Sequence, residues 1–355
     1  MTRPSGLKKI EFADWPELDR RAWQDALKWE SILGNNGVLA HRSEQDLRRY
    51  RHSYGAWLAF LVDRNQGPSP LSGVEHFCED ELRAFLQLLE TRLAPCSILS
   101  LLVSLRAAAR ALGPTQLFPT LDRAISYYKR NAKPRSDKES RMQDIRDLRE
   151  LGFRLMAQPQ RDTAAMRLAN QYRDGLAIVM LTAKPLRIGN LGSLQLERGI
   201  SRIGDRYSIH VRDSKNGDAI MFDLPVWLTP PIDDYMEQYR PYLLARRGRW
   251  WSPTPNSAFW VSSNGTAMTA RQISKRIVHR TREAFGKPVN PHLFRDIVAT
   301  TIAIEDPEHV GMILPMLGHR SLKTSEKHYN HAKSLDASRR HQEVLQDFRK
   351  PIGGR

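Results

Sequence analysis

The side chains with the most to say about chemistry lie in the second half of the chain. Arg187 closes the run AKPLR, Lys215 sits in DSKNG, and His292 and Arg295 stand three apart in NPHLFRD. His319 follows Gly318 in MLGHRS, and Tyr329 completes the set in EKHYNH. Two arginines, each with a planar guanidinium, can grip the oxygens of one phosphate through paired hydrogen bonds. A phenol has an ordinary pKa of about 10, so Tyr329 needs a base or local positive charge before it attacks phosphorus at neutral pH. The i, i+3 spacing puts His292 and Arg295 on one helical face, within reach of a single phosphate. Metal nucleases hold their ion with paired carboxylates; here no acidic trio accompanies the set, because Asp296, Glu305 and Asp306 read as ordinary helical or loop surface.

The order Arg, Lys, His-x-x-Arg, Gly-His, Tyr resembles the tyrosine recombinase (integrase) family, most closely over residues 291–331. A second His-x-x-Arg, His279 and Arg282, lies in the basic helical run QISKRIVHRTREAF and reads as a solvated face. Pro291 opens a new helix just before His292, and His319 and Tyr329 follow at the family's distances. The resemblance implies Tyr329 as nucleophile, Arg187 and Arg295 as the charge clamp, and His292 as the proton acceptor. It also implies Lys215 as proton donor to the leaving 5′-oxygen and His319 as a hydrogen-bond donor to a nonbridging oxygen. The 3′-phosphotyrosyl bond so formed keeps the energy of the phosphodiester, so rejoining needs no cofactor, and no Walker-type loop is evident. Tyr127, Tyr128, Tyr235, Tyr239 and Tyr242 read mostly as helix packing, and His328 and His331 as exposed neighbours of Tyr329. Two positions depart from the family: Asn190 stands where relatives carry Glu or Asp, and Asp296 where His or Arg is common.

The elements that must position these residues form a mainly α fold with a small antiparallel sheet: an N-terminal helical bundle followed by an α+β domain, which the resemblance implies is the catalytic domain of tyrosine-recombinase type. Ser43 to Asp46 has capping-box form and opens a helical run carrying Leu47, Tyr50, Tyr54, Trp57, Leu58 and Leu61. Apolar periods over 79–93, 97–112 and 119–129, broken at Pro95 and Gly113-Pro114, complete a bundle of four or five helices. The run KRNAKPRSDKESR has basic bias and no apolar period, placing a linker at 133–140 between domains at 1–132 and 141–355, or else a solvated loop between helices. Helical patterns follow at 141–157 and 162–182. Strand-like runs come next at Leu194–Leu196, Tyr207–Val211 and Ile220–Leu224, with turn signals at Gly204-Asp205 and Asn216-Gly217. A helix over 231–244, an apolar run at Phe259–Val261 and helices from Thr269 onward end the chain. The tail offers Leu335, Val344, Leu345 and Phe348 as anchors for a helix that packs either on its own protomer or on a neighbour.

Composition agrees with a polyanion partner. Lys and Arg number 55 against 39 Asp and Glu in 355 residues, a formal charge of +16, and Lys/Arg excess of this size favours nucleic acid. Hydrophobic residues at 41% are enough for packed cores, and two cysteines, Cys78 and Cys96, are too few for a disulfide framework. No stretch of 18 apolar residues runs without a charge, and the N-terminus lacks the apolar core of a secretory peptide. The resemblance implies a two-domain clamp on double-stranded DNA bearing specific recombination sites, assembled as a homotetramer on paired sites. Accessory DNA-bending or directionality proteins, no membrane, and the cytoplasm of a prokaryote belong to the same expectation. Integration or excision of a mobile element is preferred; chromosome-dimer resolution, type IB topoisomerase relaxation and non-catalytic DNA binding stay open.

Overall fold

The computed structural model describes residues 7–65, 72–133, 138–157, 164–212, 219–246 and 257–306. Lys215, His319, Tyr329 and the apolar tail positions lie outside these residues. The chain divides into two compact units, Met1–Asp137 and Lys138–Arg355.

The first unit consists of α1 (Glu17–Leu27), α2 (Glu44–Asn65), α3 (Glu79–Arg92), α4 (Pro95–Leu112) and α5 (Pro119–Asn131). Ser43 starts α2 as expected, its hydroxyl accepting from the Asp46 amide at 3.1 Å. Prolines open α4 and α5, where a missing N–H costs nothing. Trp23, Tyr54, Trp57, Phe85 and Leu102 fill the core. α4 spans 18 residues at a mean hydropathy of 1.4, long and apolar enough to cross a membrane. It is nonetheless the bundle's central helix: Leu102, Leu105, Ala108 and Ala109 are fully buried, and Arg106 pairs with Asp122 of α5 at 2.6 Å.

The second unit opens with α6 (Ile145–Met156) and α7 (Ala165–Ala183). Gly152 and Gly175 let these two helices touch, for a Cβ on Gly175 would stand 2.5 Å from the Gly152 carbonyl oxygen. The short α8 (Ile188–Gly192) leads into an antiparallel sheet of β1 (Ile200–Ile203), β2 (Arg206–Arg212) and β3 (Ala219–Asp223), in that order. Gly204, at φ +63°, makes the turn between β1 and β2. The expected first strand at Leu194–Leu196 is displaced to 200–203. Glu197 takes a left-handed φ of +65°, and Gly199 N–H closes a tight turn on Gln195 at 2.8 Å, so 194–196 form only isolated bridges. β1 escaped notice because only Ile200 is buried while Ile203 is exposed, which leaves no alternation to read.

Thr229–Leu244 is one helical passage, α9 (Thr229–Asp234) and α10 (Arg240–Leu244) joined by a π turn at Tyr235–Tyr239. α11 (Ala270–Phe285) and α12 (Pro291–Glu305) follow. Thr269 and Gln272 form a reciprocal capping box at the start of α11, and Gly286 ends it in the left-handed conformation. Phe259, Trp260, Phe294, Leu176 and Ile209 sit in the common core of this unit.

Candidate active site

Arg187 lies just ahead of α8, half-buried, after Pro185 and Leu186 have ended α7. Proline supplies the break: it forces its predecessor Lys184 out of helical geometry, to φ −142° and ψ 103°. α8 is then pinned from two sides. The Trp260 indole donates to the Leu191 carbonyl at 2.8 Å, and Gly192 lies so close to Ala270 that a Cβ would meet its Cα at 2.8 Å. The Arg187 backbone is therefore held on the body of the unit.

α12 carries the other two described members of the set. The Asn290 side chain accepts from the Leu293 amide at 3.0 Å, and Pro291 occupies the first turn, so the helix starts where the sequence implied. His292 is exposed at that first turn. Arg295, three residues on, is 6% exposed, and its Nη1 donates to the Pro185 carbonyl at 2.7 Å. This bond ties α12 to the segment ending in Arg187, across 110 residues of sequence. The structure thus joins Arg295 to the Arg187 segment and leaves His292 facing solvent on the same helix. Lys215, which by sequence follows β2, and His319 and Tyr329 lie outside the described residues.

One acid beside Arg295 is less ordinary than its sequence suggests. Asp296, expected on plain surface, is largely buried and ion-paired with Lys138. Glu305 pairs with Arg146 at 2.7 Å. A carboxylate at 296 therefore anchors the start of the second unit to α12 immediately beside Arg295. Asn190, the other departure from the family, is 7% exposed behind Arg187. Among the described residues no three His, Cys, Asp or Glu side chains are placed to share a metal ion.

Other tyrosines are occupied with packing. Tyr235 is fully buried with its pKa pushed up to about 12, chiefly by burial, and Tyr239 stacks on Tyr172 at 4.0 Å. Tyr128 donates to Glu90 at 2.5 Å; Tyr127, against expectation, is exposed. His279 is half exposed and 3.7 Å from Glu283, the solvated face foreseen for that helix.

Two features escaped the sequence. One is Asp174, whose fully buried carboxylate accepts from Arg173, Arg276 and Arg280, the last two of them on α11. Partners 102 and 106 residues away leave no local pattern. The other is Lys184, half-buried at the end of α7, its Nζ 4.4 Å from the centre of the Phe222 ring on β3. Its pKa is lowered, first by burial and then by the charge of Arg295. A lysine ending the apolar run GLAIVMLTAK was the available signal.

No protein-family model matches the chain. Among curated proteins it is similar to tyrosine recombinase XerC of Bifidobacterium longum subsp. infantis, 28% identical over 174 residues, 48% of this chain and 46% of the relative. XerC from a second Bifidobacterium longum strain matches with the same identity and coverage. The alignment thus spans about half the length of these relatives. Two solved structures also align: XerA recombinase, 14% identical over 95% of this chain and 100% of that one at a TM-score of 0.41. The second is XerH recombinase bound to a palindromic difH substrate, 14% identical over 96% and 100% at a TM-score of 0.45.

Proposed function

We propose, from the premise that this chain belongs to the tyrosine recombinase family, that it cuts and rejoins duplex DNA at specific sites without ATP or a metal ion. Tyr329 Oη attacks the scissile phosphorus and passes its proton to His292. The bond from phosphorus to the 5′-oxygen breaks, and Lys215 protonates that oxygen. The products are a 3′-phosphotyrosyl bond and a free 5′-hydroxyl, and an incoming 5′-hydroxyl reverses the steps. Arg187, Arg295 and His319 hold the nonbridging oxygens as charge accumulates on them, the contribution that dominates phosphoryl transfer.

The observation that supports this reading best is the hydrogen bond from buried Arg295 to Pro185, two residues before Arg187. It fixes one guanidinium of the clamp against the segment that carries the other. We assign DNA binding to the first unit as well as the second. We take the substrate to be paired sites held by four protomers, in the first instance the attachment sites of a mobile element. Many phosphate contacts then make affinity fall steeply with salt.

The test uses a nicked suicide duplex built from the DNA flanking the gene. The wild-type chain is expected to form an SDS-resistant covalent adduct that survives EDTA, and Tyr329→Phe to form none. No adduct from the wild type on any flanking duplex overturns the reading, and strict Mg²⁺ dependence overturns the arginine clamp.

A further inference from the structure

We propose that Lys184 is a further phosphate-binding residue, its ammonium donating to a nonbridging oxygen at the site of Arg187 and Arg295. The inference rests on the recombinase reading above and adds a cation outside the set that the family motif supplies.

Three observations carry it. Lys184 is three residues before Arg187 and adjacent to Pro185, whose carbonyl receives the Arg295 guanidinium. Its side chain does not extend into water, as lysine stems on a surface ordinarily do. It folds over the Phe222 ring at 4.4 Å instead. Finally, among the described residues no carboxylate forms an ion pair with it, and Asp296, the acid next to Arg295 in sequence, is committed to Lys138.

A half-buried ammonium with no acid partner among the described residues, under the field of a second buried cation, is unfavourable by itself. Two local groups offset part of that cost: the carbonyl end of α7 and the face of the Phe222 ring. They fall short, since burial and Arg295 still drive the Lys184 pKa downward. Among the described residues no anion stands there. The singly charged scissile phosphodiester, gripped by Arg187 and Arg295, would supply that charge beside the segment that carries Lys184. A lysine kept only for packing has no need of its charge, and that difference makes the two roles separable.

The experiment compares Lys184→Met and Lys184→Arg with the wild type on two suicide duplexes. One carries the ordinary scissile phosphate; the other carries a methylphosphonate there, which removes the phosphate charge. Lys184→Met is expected to lower the adduct-forming rate at least thirtyfold (on the order of 2 kcal/mol) on phosphate and less than about threefold on methylphosphonate. Lys184→Arg should stay within about tenfold of wild type on both. The ratio of the two substrates within one variant does not depend on the fraction of folded protein. Equal losses on both duplexes, or no loss on phosphate, overturn the role of Lys184. Failure of the recombinase reading looks different, because the wild-type chain itself then forms no adduct.

Discussion

Replacing Asp174 by Asn should cost the second unit about 3–5 kcal/mol, the range for breaking a buried ion pair from one side. The geometry sets that size. Oδ1 accepts two N–H groups of Arg173, at 3.2 and 2.7 Å. Oδ2 accepts three, two from Arg276 and one from Arg280, at 2.9 to 3.0 Å. An asparagine replaces one carboxylate oxygen by an amide NH2, which donates and does not accept. Whichever way it is flipped, two or three guanidinium N–H groups meet a donor, and the negative charge is gone. Arg173 and Arg280 cannot escape to water, their side chains being 4% and 12% exposed, whereas Arg276 at 34% can. Most of the loss therefore falls on the first two. At about 2–4 °C per kcal/mol for a unit of this size, the melting temperature should drop by roughly 6–20 °C. Thermal unfolding followed by near-ultraviolet circular dichroism measures it, with Arg276→Met as the control expected to cost no more than about 1 kcal/mol. A shift below about 2 °C, or one smaller than the control's, refutes the assignment of Asp174 as the charge centre that holds α11 to α7.

Three further outcomes follow from the same structure. Gly175→Ala puts a methyl 2.5 Å from the Gly152 carbonyl and 2.9 Å from Leu155 Cβ; urea unfolding should show a loss of about 1–3 kcal/mol from overpacking. Arg295→Lys gives up the planar fork and the bond to Pro185; the adduct-forming rate should fall by about 10²–10³ while DNA retention in a gel-shift assay holds. Lys184→Met should melt at a higher temperature than the wild type at pH 7 in the absence of DNA. The sign follows from the lowered pKa: the unfolded chain holds the Lys184 proton more tightly, so the charged form weakens the fold at every pH below the folded value. The advantage of the methionine should fade as pH climbs from that lowered value toward the ordinary 10.5, and paired melting curves from pH 7 to 10.5 check it.

Local rules made most of the fold legible. Helix starts with a chemical cause, Ser43 before α2, Pro95, Pro119, and Asn290-Pro291, fall where capping and proline geometry demand. The helix start just before His292 was readable for the same reason, since a proline start distinguishes a new helix from the solvated face of an old one. What escaped depends on side chains that meet across long separations. β1 was misplaced because a left-handed Glu197 turns the chain just where Leu194–Leu196 seemed to begin a strand. Asp296 looked like surface because Lys138, which neutralises it, is far away in sequence. The Arg295–Pro185 bond had no sequence signature at all, since a backbone carbonyl carries no residue identity.

The distribution of acids, more than the number of cations, marks where a ligand belongs. A chain with 55 Lys and Arg and a formal charge of +16 carries positive groups throughout its sequence, so an exposed arginine says little. Burial changes the weighting, because a cation removed from water must find a counter-charge or disfavour the fold. Arg173 and Arg280 find theirs in Asp174, inside the unit, and are thereby structural. Lys184 is given an aromatic face and a second cation instead. Burial and the charge of Arg295 lower the Lys184 pKa, so the proposed phosphate contact would offset a cost that the protein alone leaves in place. The motif names Arg187 and Arg295, and the packing around Lys184 adds a third cation on the same 184–187 segment.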